Sequence, residues 1–84
     1  MSKTSERAEI IAQLTELLQA ERLRQALSPN EVATRFGLSH TMVMRVEKRE
    51  RLPTIDTLLR IADALEIDLS AVLKKAIGSV KRSG

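Results

Sequence analysis

The stretch Pro29–Glu47, PNEVATRFGLSHTMVMRVE, decides how this chain folds. Ala33 stands four residues before Gly37, Val43 six residues after it, and Val46 three further on. Two short helices that cross steeply need this spacing. A small side chain lets the second helix lie against the first, and glycine accepts the positive φ of a tight inter-helix turn. Val43 and Val46 turn one side of the second helix inward and leave its other side exposed. The spacing predicts a helix-turn-helix, a unit whose second helix fits a DNA major groove.

Start and stop signals frame the pair and extend it. Ser28 before Pro29 reads as an N-cap followed by proline at the first helical position, and Glu31 completes a capping box. Val32, Ala33 and Phe36 are expected on the inner face, with Gly37 ending the helix. Ser39 caps the next helix, which runs out in the charged segment KRERLP, Lys48–Pro53. Upstream, Ile10, Ile11, Leu14, Leu17 and Leu18 recur at helical steps from about Glu6, opposite a polar face of Glu9, Gln13, Glu16, Gln19 and Glu21. That pattern ends near Ala26–Leu27. Downstream, Thr54 caps a fourth helix with Leu58, Ile61, Ala62 and Leu65 on its stripe. Asp68 caps a fifth with Leu69, Val72, Leu73, Ala76 and Ile77. No internal repeat or long linker divides the chain, so residues 1–84 read as one domain, with residues 1–5 and 79–84 as flexible ends.

Composition narrows the function classes. Eighty-four residues allow one small core, and with 43 % apolar but 1 % aromatic residues that core is aliphatic. Without cysteine there are no disulfides or thiolate metal sites, and the lone His40 has no carboxylates patterned around it, so no metal and no cofactor are expected. No paired carboxylates, nucleophile–base pair or phosphate-cradling glycine loop points to an enzyme. No apolar run approaches the ~20 residues of a membrane span, and MSKTSERAE lacks a signal peptide's apolar core, so a cytoplasmic, nucleoid-associated protein of bacterial or phage origin is expected. The net charge of +3 is compatible with nucleic acid and is weak evidence alone.

Two charges fall on apolar faces. Continuing the Leu14–Leu18 row by four reaches Arg22, and Glu47 lies four residues after Val43. Each alone is costly to bury, so the two are expected to form a structural ion pair.

At this point the chain resembles the Cro/C1-type, or XRE-type, helix-turn-helix family, which includes the lambda repressor. The segments LSPNEVATRFGLS, VMRVEKRERLPT and IDTLLRIADALEIDLSAVL carry the resemblance from about Leu14 to Leu73. It implies an all-α, five-helix, lambda-repressor-like DNA-binding bundle, here with an extended first helix. It also implies that the third helix enters the major groove and reads bases with His40, Thr41, Met42, Met44 and Arg45. The chemistry agrees. Arg45 can bond bidentately to guanine, His40 and Thr41 can donate or accept, and a methionine can pack on a thymine methyl. Met42 and Met44 flank the inward Val43 and are expected to be exposed; packing against helix 4 or the turn is their alternative. Phosphate contacts are expected from Pro29 and Asn30 at the start of the second helix, and from Ser39, Lys48, Arg49, Arg51 and Thr54 beside the third. A solvated loop is the alternative for Arg49 and Arg51. Family members also pair an arginine and a glutamate at the places of Arg22 and Glu47.

The chain departs from the family where Pro29 replaces a phosphate-contacting glutamine. It departs again where Arg49 replaces a glycine after the third helix, so that helix either runs a turn longer or Arg49 is strained. The leading expectation is a sequence-specific DNA-binding transcriptional regulator, a repressor that binds a palindromic operator as a homodimer. The fifth helix's stripe, extended by Val80, is a candidate interface. The chain's size narrows the regulator to phage, plasmid or toxin–antitoxin systems. One alternative is an antitoxin whose first helix or Lys74–Gly84 tail binds a toxin. Another is a protein-interaction module that uses exposed Met42 and Met44.

Overall fold

A computed structural model describes residues 3–83, with side chains from Glu6 to Lys81. Among these residues the chain is five helices and no strand: α1 Lys3–Arg24, α2 Pro29–Arg35, α3 His40–Glu47, α4 Ile55–Ala64 and α5 Leu69–Ser83. The start signals act as their chemistry requires. The Ser28 hydroxyl accepts from the Glu31 N–H at 3.1 Å while the Glu31 carboxylate accepts from the Ser28 N–H at 2.8 Å, closing the capping box. Ser39 accepts from the Met42 N–H and Thr54 from the Thr57 N–H. Asp68 accepts from the Ser70 N–H and hydroxyl through one carboxylate oxygen.

The stop signals share one device. Ala26, Gly37, Arg49 and Glu66, each just past a helix end, have φ of 57°, 73°, 62° and 58°. After each, a backbone N–H reaches back to close the final turn: Leu27 to Arg22, Leu38 to Ala33, Glu50 to Arg45 and Ile67 to Ala62. Only one of the four is glycine. The other three carry the steric cost of a left-handed backbone, about 1–2 kcal/mol per residue. Arg49 is therefore the strained alternative, and α3 ends at Glu47.

Leu14, Leu18, Val32, Ala33, Val43, Val46, Leu58, Ile61, Leu65 and Ala76 form the aliphatic core. Ala33 is fully buried where α2 meets α3. The most extensive helix pairing is α1 with α5. Lys81 Nζ lies 3.4 Å from Glu6 Oε1, so the start of α1 runs beside the end of α5.

Several expectations need correction. Phe36 is 44 % exposed, not inward. It is the C-cap of α2, at φ −134°, and so leaves the helical track that Val32 and Ala33 follow; the half-buried Leu38 packs against the core beyond the turn. Helix α1 ends at Arg24, earlier than the apolar pattern suggests, because Ala26 takes a left-handed turn. Neither end is loose where it is described. Residues 3–5 and 79–83 are helical, and Val80 is buried, since it continues the Ala76 stripe by one turn and α1 covers that face. Residues 1, 2 and 84 lie outside the described residues. The α5 stripe is thus partnered inside the protomer, and its length is no sign of a free interface.

Candidate nucleic-acid interface

Helix α3 presents two unlike faces. Val43 and Val46 are buried inward. His40, Thr41, Arg45 and the C-cap Lys48 are exposed. Steps of three and four residues join Thr41, Arg45 and Lys48 into one outward stripe. Met42 and Met44 depart from expectation, because both are half-buried and Met42 packs against the core. A helical step of about 100° from Val43 leaves each methionine on the shoulder of the helix. Met42 is thereby drawn to packing, and neither supports an exposed interaction patch.

The sole carboxylate of α3 is turned away from this stripe. Glu47 Oε2 and Oε1 accept from Arg22 Nε and Nη2 at 2.7 and 2.9 Å, a bidentate pair with side chains only 13 % and 10 % exposed. Arg22 Nη1 also donates to the Leu27 carbonyl at 2.7 Å, so the guanidinium ties α1 to both α3 and the turn before α2. The pair has an electrostatic consequence: it removes the negative charge of Glu47 from the face that carries Arg45 and Lys48. Only positive side chains remain on that face, and anionic phosphates would otherwise be repelled.

The flanking groups divide. Lys48, Arg49 and Arg51 are exposed and follow one another around the end of α3. Arg49 makes a long 3.4 Å ion pair with Glu16, both ends more than half exposed, so it is available to another anion. Ser39 keeps its hydroxyl hydrogen to donate, since its oxygen serves the cap as an acceptor. Thr54 is different. Its hydroxyl accepts from the Thr57 N–H and donates to Thr57 Oγ1 at 3.1 Å, which leaves this side chain no donor for phosphate.

The start of α2 is also less suited to an anion than its position suggests. Pro29 has no N–H, the capping box occupies the Ser28 and Glu31 N–H groups, and the Glu31 carboxylate sits there. Hydrogen bonds from Ser28, backbone first, hold the Glu31 carboxyl below its ordinary pKa and keep it charged. Asn30, exposed, is the group left to reach a phosphate.

Three polar side chains without an assigned role turn out to brace this scaffold. Arg35 Nη1 donates to the Ala64 carbonyl at 2.8 Å, Arg60 Nη1 to the Phe36 carbonyl at 2.9 Å, and Gln25 Nε2 to the Leu65 carbonyl at 2.7 Å. Each satisfies a carbonyl at a helix end that the helix itself leaves unpaired. Nothing in local sequence marks them, because the acceptors lie 24 to 40 residues away.

Comparison with known families agrees with this geometry. A helix-turn-helix family model matches residues 18–72, well over half of the chain. No curated protein and no solved structure matches it. The match begins within α1 and ends early in α5, leaving outside it the start of α1 and the end of α5, which pack side by side. Among the described residues no helix is long and apolar enough to cross a membrane. With its capped α2, glycine turn and outward basic α3, the chain belongs to the Cro/C1-type helix-turn-helix family of DNA-binding regulators.

Proposed function

We propose that the protein is a sequence-specific repressor that inserts α3 into the major groove of a palindromic operator as a dimer. The observation that carries this reading is the outward stripe of α3, where His40, Thr41, Arg45 and Lys48 are exposed while Glu47 is turned inward to Arg22. Arg45 is the base-reading candidate with the most discriminating chemistry, since its guanidinium matches guanine O6 and N7. His40 and Thr41 add hydrogen bonds near the start of the helix, and Met44, on the helix shoulder, can reach a thymine methyl. Lys48, Arg49 and Arg51, with Ser39 and Asn30, hold the phosphates on either side.

Dimerisation follows from operator geometry. One short recognition helix reads a half-site, and two must lie about 34 Å apart to read both halves. With α5 covered by α1, the apolar side chains open to self-association are Phe36, Ile55 and Leu59. The protein would act in the cytoplasm, on the nucleoid.

Selection of bound duplexes from a randomised pool at near-physiological salt tests the proposal. Enrichment of a two-fold palindrome is the expected result. Enrichment of a single half-site refutes the dimer. Binding without enrichment, lost steeply with salt, refutes sequence reading.

A further inference from the structure

The first turns of α1 and the loop between α3 and α4 enclose a groove of about 420 Å³. Its apolar surface comes from Ala8, Ile11, Ala12, Val46, Leu52 and Pro53. On α1 these residues fall four apart, a stripe about two turns or 12 Å long, and the two alanines allow close approach. The one hydroxyl in this wall, that of Thr15, is spent on the Ile11 carbonyl at 2.9 Å. Arg7, Arg49 and Arg51 stand at the groove against a single carboxylate, Glu50. The α1 wall lies entirely before residue 18, so this part of the groove is outside the family match.

We propose that this groove docks an acidic amphipathic helix of a partner protein, and that docking competes with DNA. An apolar ridge would fill the floor, and flanking carboxylates would meet the three arginines. Leu52 decides between a peptide and a small molecule. It is 72 % exposed at the open side, with Ile55 exposed just beyond, so a small occupant would leave much of this apolar surface in water. A helix covers both. Arg49 and Arg51 serve the groove and the phosphate flank alike, so one anion excludes the other. The competition rests on the phosphate role proposed above; the docking does not.

The test uses the full chain and a fluorescein-labelled peptide of about 18 residues, with leucines at helical i, i+3, i+7 spacing and glutamates on both flanks. Anisotropy is expected to show saturable micromolar binding that weakens about tenfold in Leu52→Ser and in Ala12→Glu, and that fails when lysines replace the glutamates. Leu52 and Ala12 lie outside the proposed DNA contacts, so both variants should bind operator as the parent does. Leu52 is too exposed for its replacement to unfold the chain. The docking proposal is overturned by any of three results: no saturation below about 1 mM, equal binding of the lysine peptide, or no effect of Leu52→Ser. It is also overturned if decanoate binds with the same variant sensitivity while the peptide does not, which would mark a small-molecule site. Peptide binding without displacement of bound duplex overturns the competition alone. Peptide binding by a chain that selects no DNA sequence refutes the proposed function and leaves the docking intact.

Discussion

Replacing Arg22 by alanine is expected to cost the fold about 3–5 kcal/mol, because it strands the Glu47 carboxylate in a place only 13 % exposed. The loss removes two charge-assisted bonds, at 2.7 and 2.9 Å, and a third to the Leu27 carbonyl. For 84 residues, an unfolding entropy of about 2.1 cal/mol/K per residue sums to roughly 0.18 kcal/mol/K. The corresponding fall in Tm is roughly 15–30 °C. Domains of this size are stable by about 4–13 kcal/mol, so the single variant can stand at the edge of folding. Urea unfolding of a double-mutant cycle keeps the experiment decisive. Arg22→Met together with Glu47→Leu removes both charges, and should recover all but about 1–3 kcal/mol, the cost of the unpaired Leu27 carbonyl. Either single change should be worse than the pair. A loss in Arg22→Ala under about 0.5 kcal/mol, the value of an exposed pair, would refute the reasoning.

Other outcomes follow from the same geometry. Arg45→Ala should lose about 1–3 kcal/mol of specific binding and relax preference at one base pair, whereas Arg51→Ala should weaken all duplexes alike and lower the salt slope by about 1 in a fluorescence titration. Gly37→Ala should destabilise by about 1–2 kcal/mol, since φ is 73° and the added methyl would meet Arg60 Nη1 at 3.2 Å; an unchanged urea midpoint would contradict it. Glu66→Gly should raise the urea midpoint, because relief of the left-handed strain at φ 58° exceeds the ~0.4–1 kcal/mol that glycine adds to the unfolded chain's entropy. Glu21 is held at about 2 by hydrogen bonds from Arg24 and then Gln25, and Asp68 is lowered by its bonds from Ser70. Both are depressed, so their stabilisation is present above the ordinary carboxylate range near 4 and is lost as pH falls toward 2; carboxyl titration by NMR in Ser70→Ala should return Asp68 toward its ordinary value.

The helices, their starts and the aliphatic core were legible in sequence because each is set by neighbours three or four residues away. Capping at Ser28, Ser39 and Thr54, the turn at Gly37 and the inward Val43 and Val46 depend on local geometry that repeats wherever those residues recur. The Arg22–Glu47 geometry was partly legible too, since both charges break an apolar row. Tertiary structure alone decided what lies across a gap in the chain. Phe36 faces water because α2 ends one residue before it, and Met42 packs on the core because a neighbouring surface is within reach. The end of α5 is ordered by α1, from the opposite end of the sequence, which no local pattern in GSVKRSG announces. Arg35, Arg60 and Gln25 find carbonyls 24 to 40 residues distant, and the groove beside Leu52 exists only where α1 passes the α3–α4 loop. Periodicity tells which face of a helix is apolar; only the packed chain tells what that face meets.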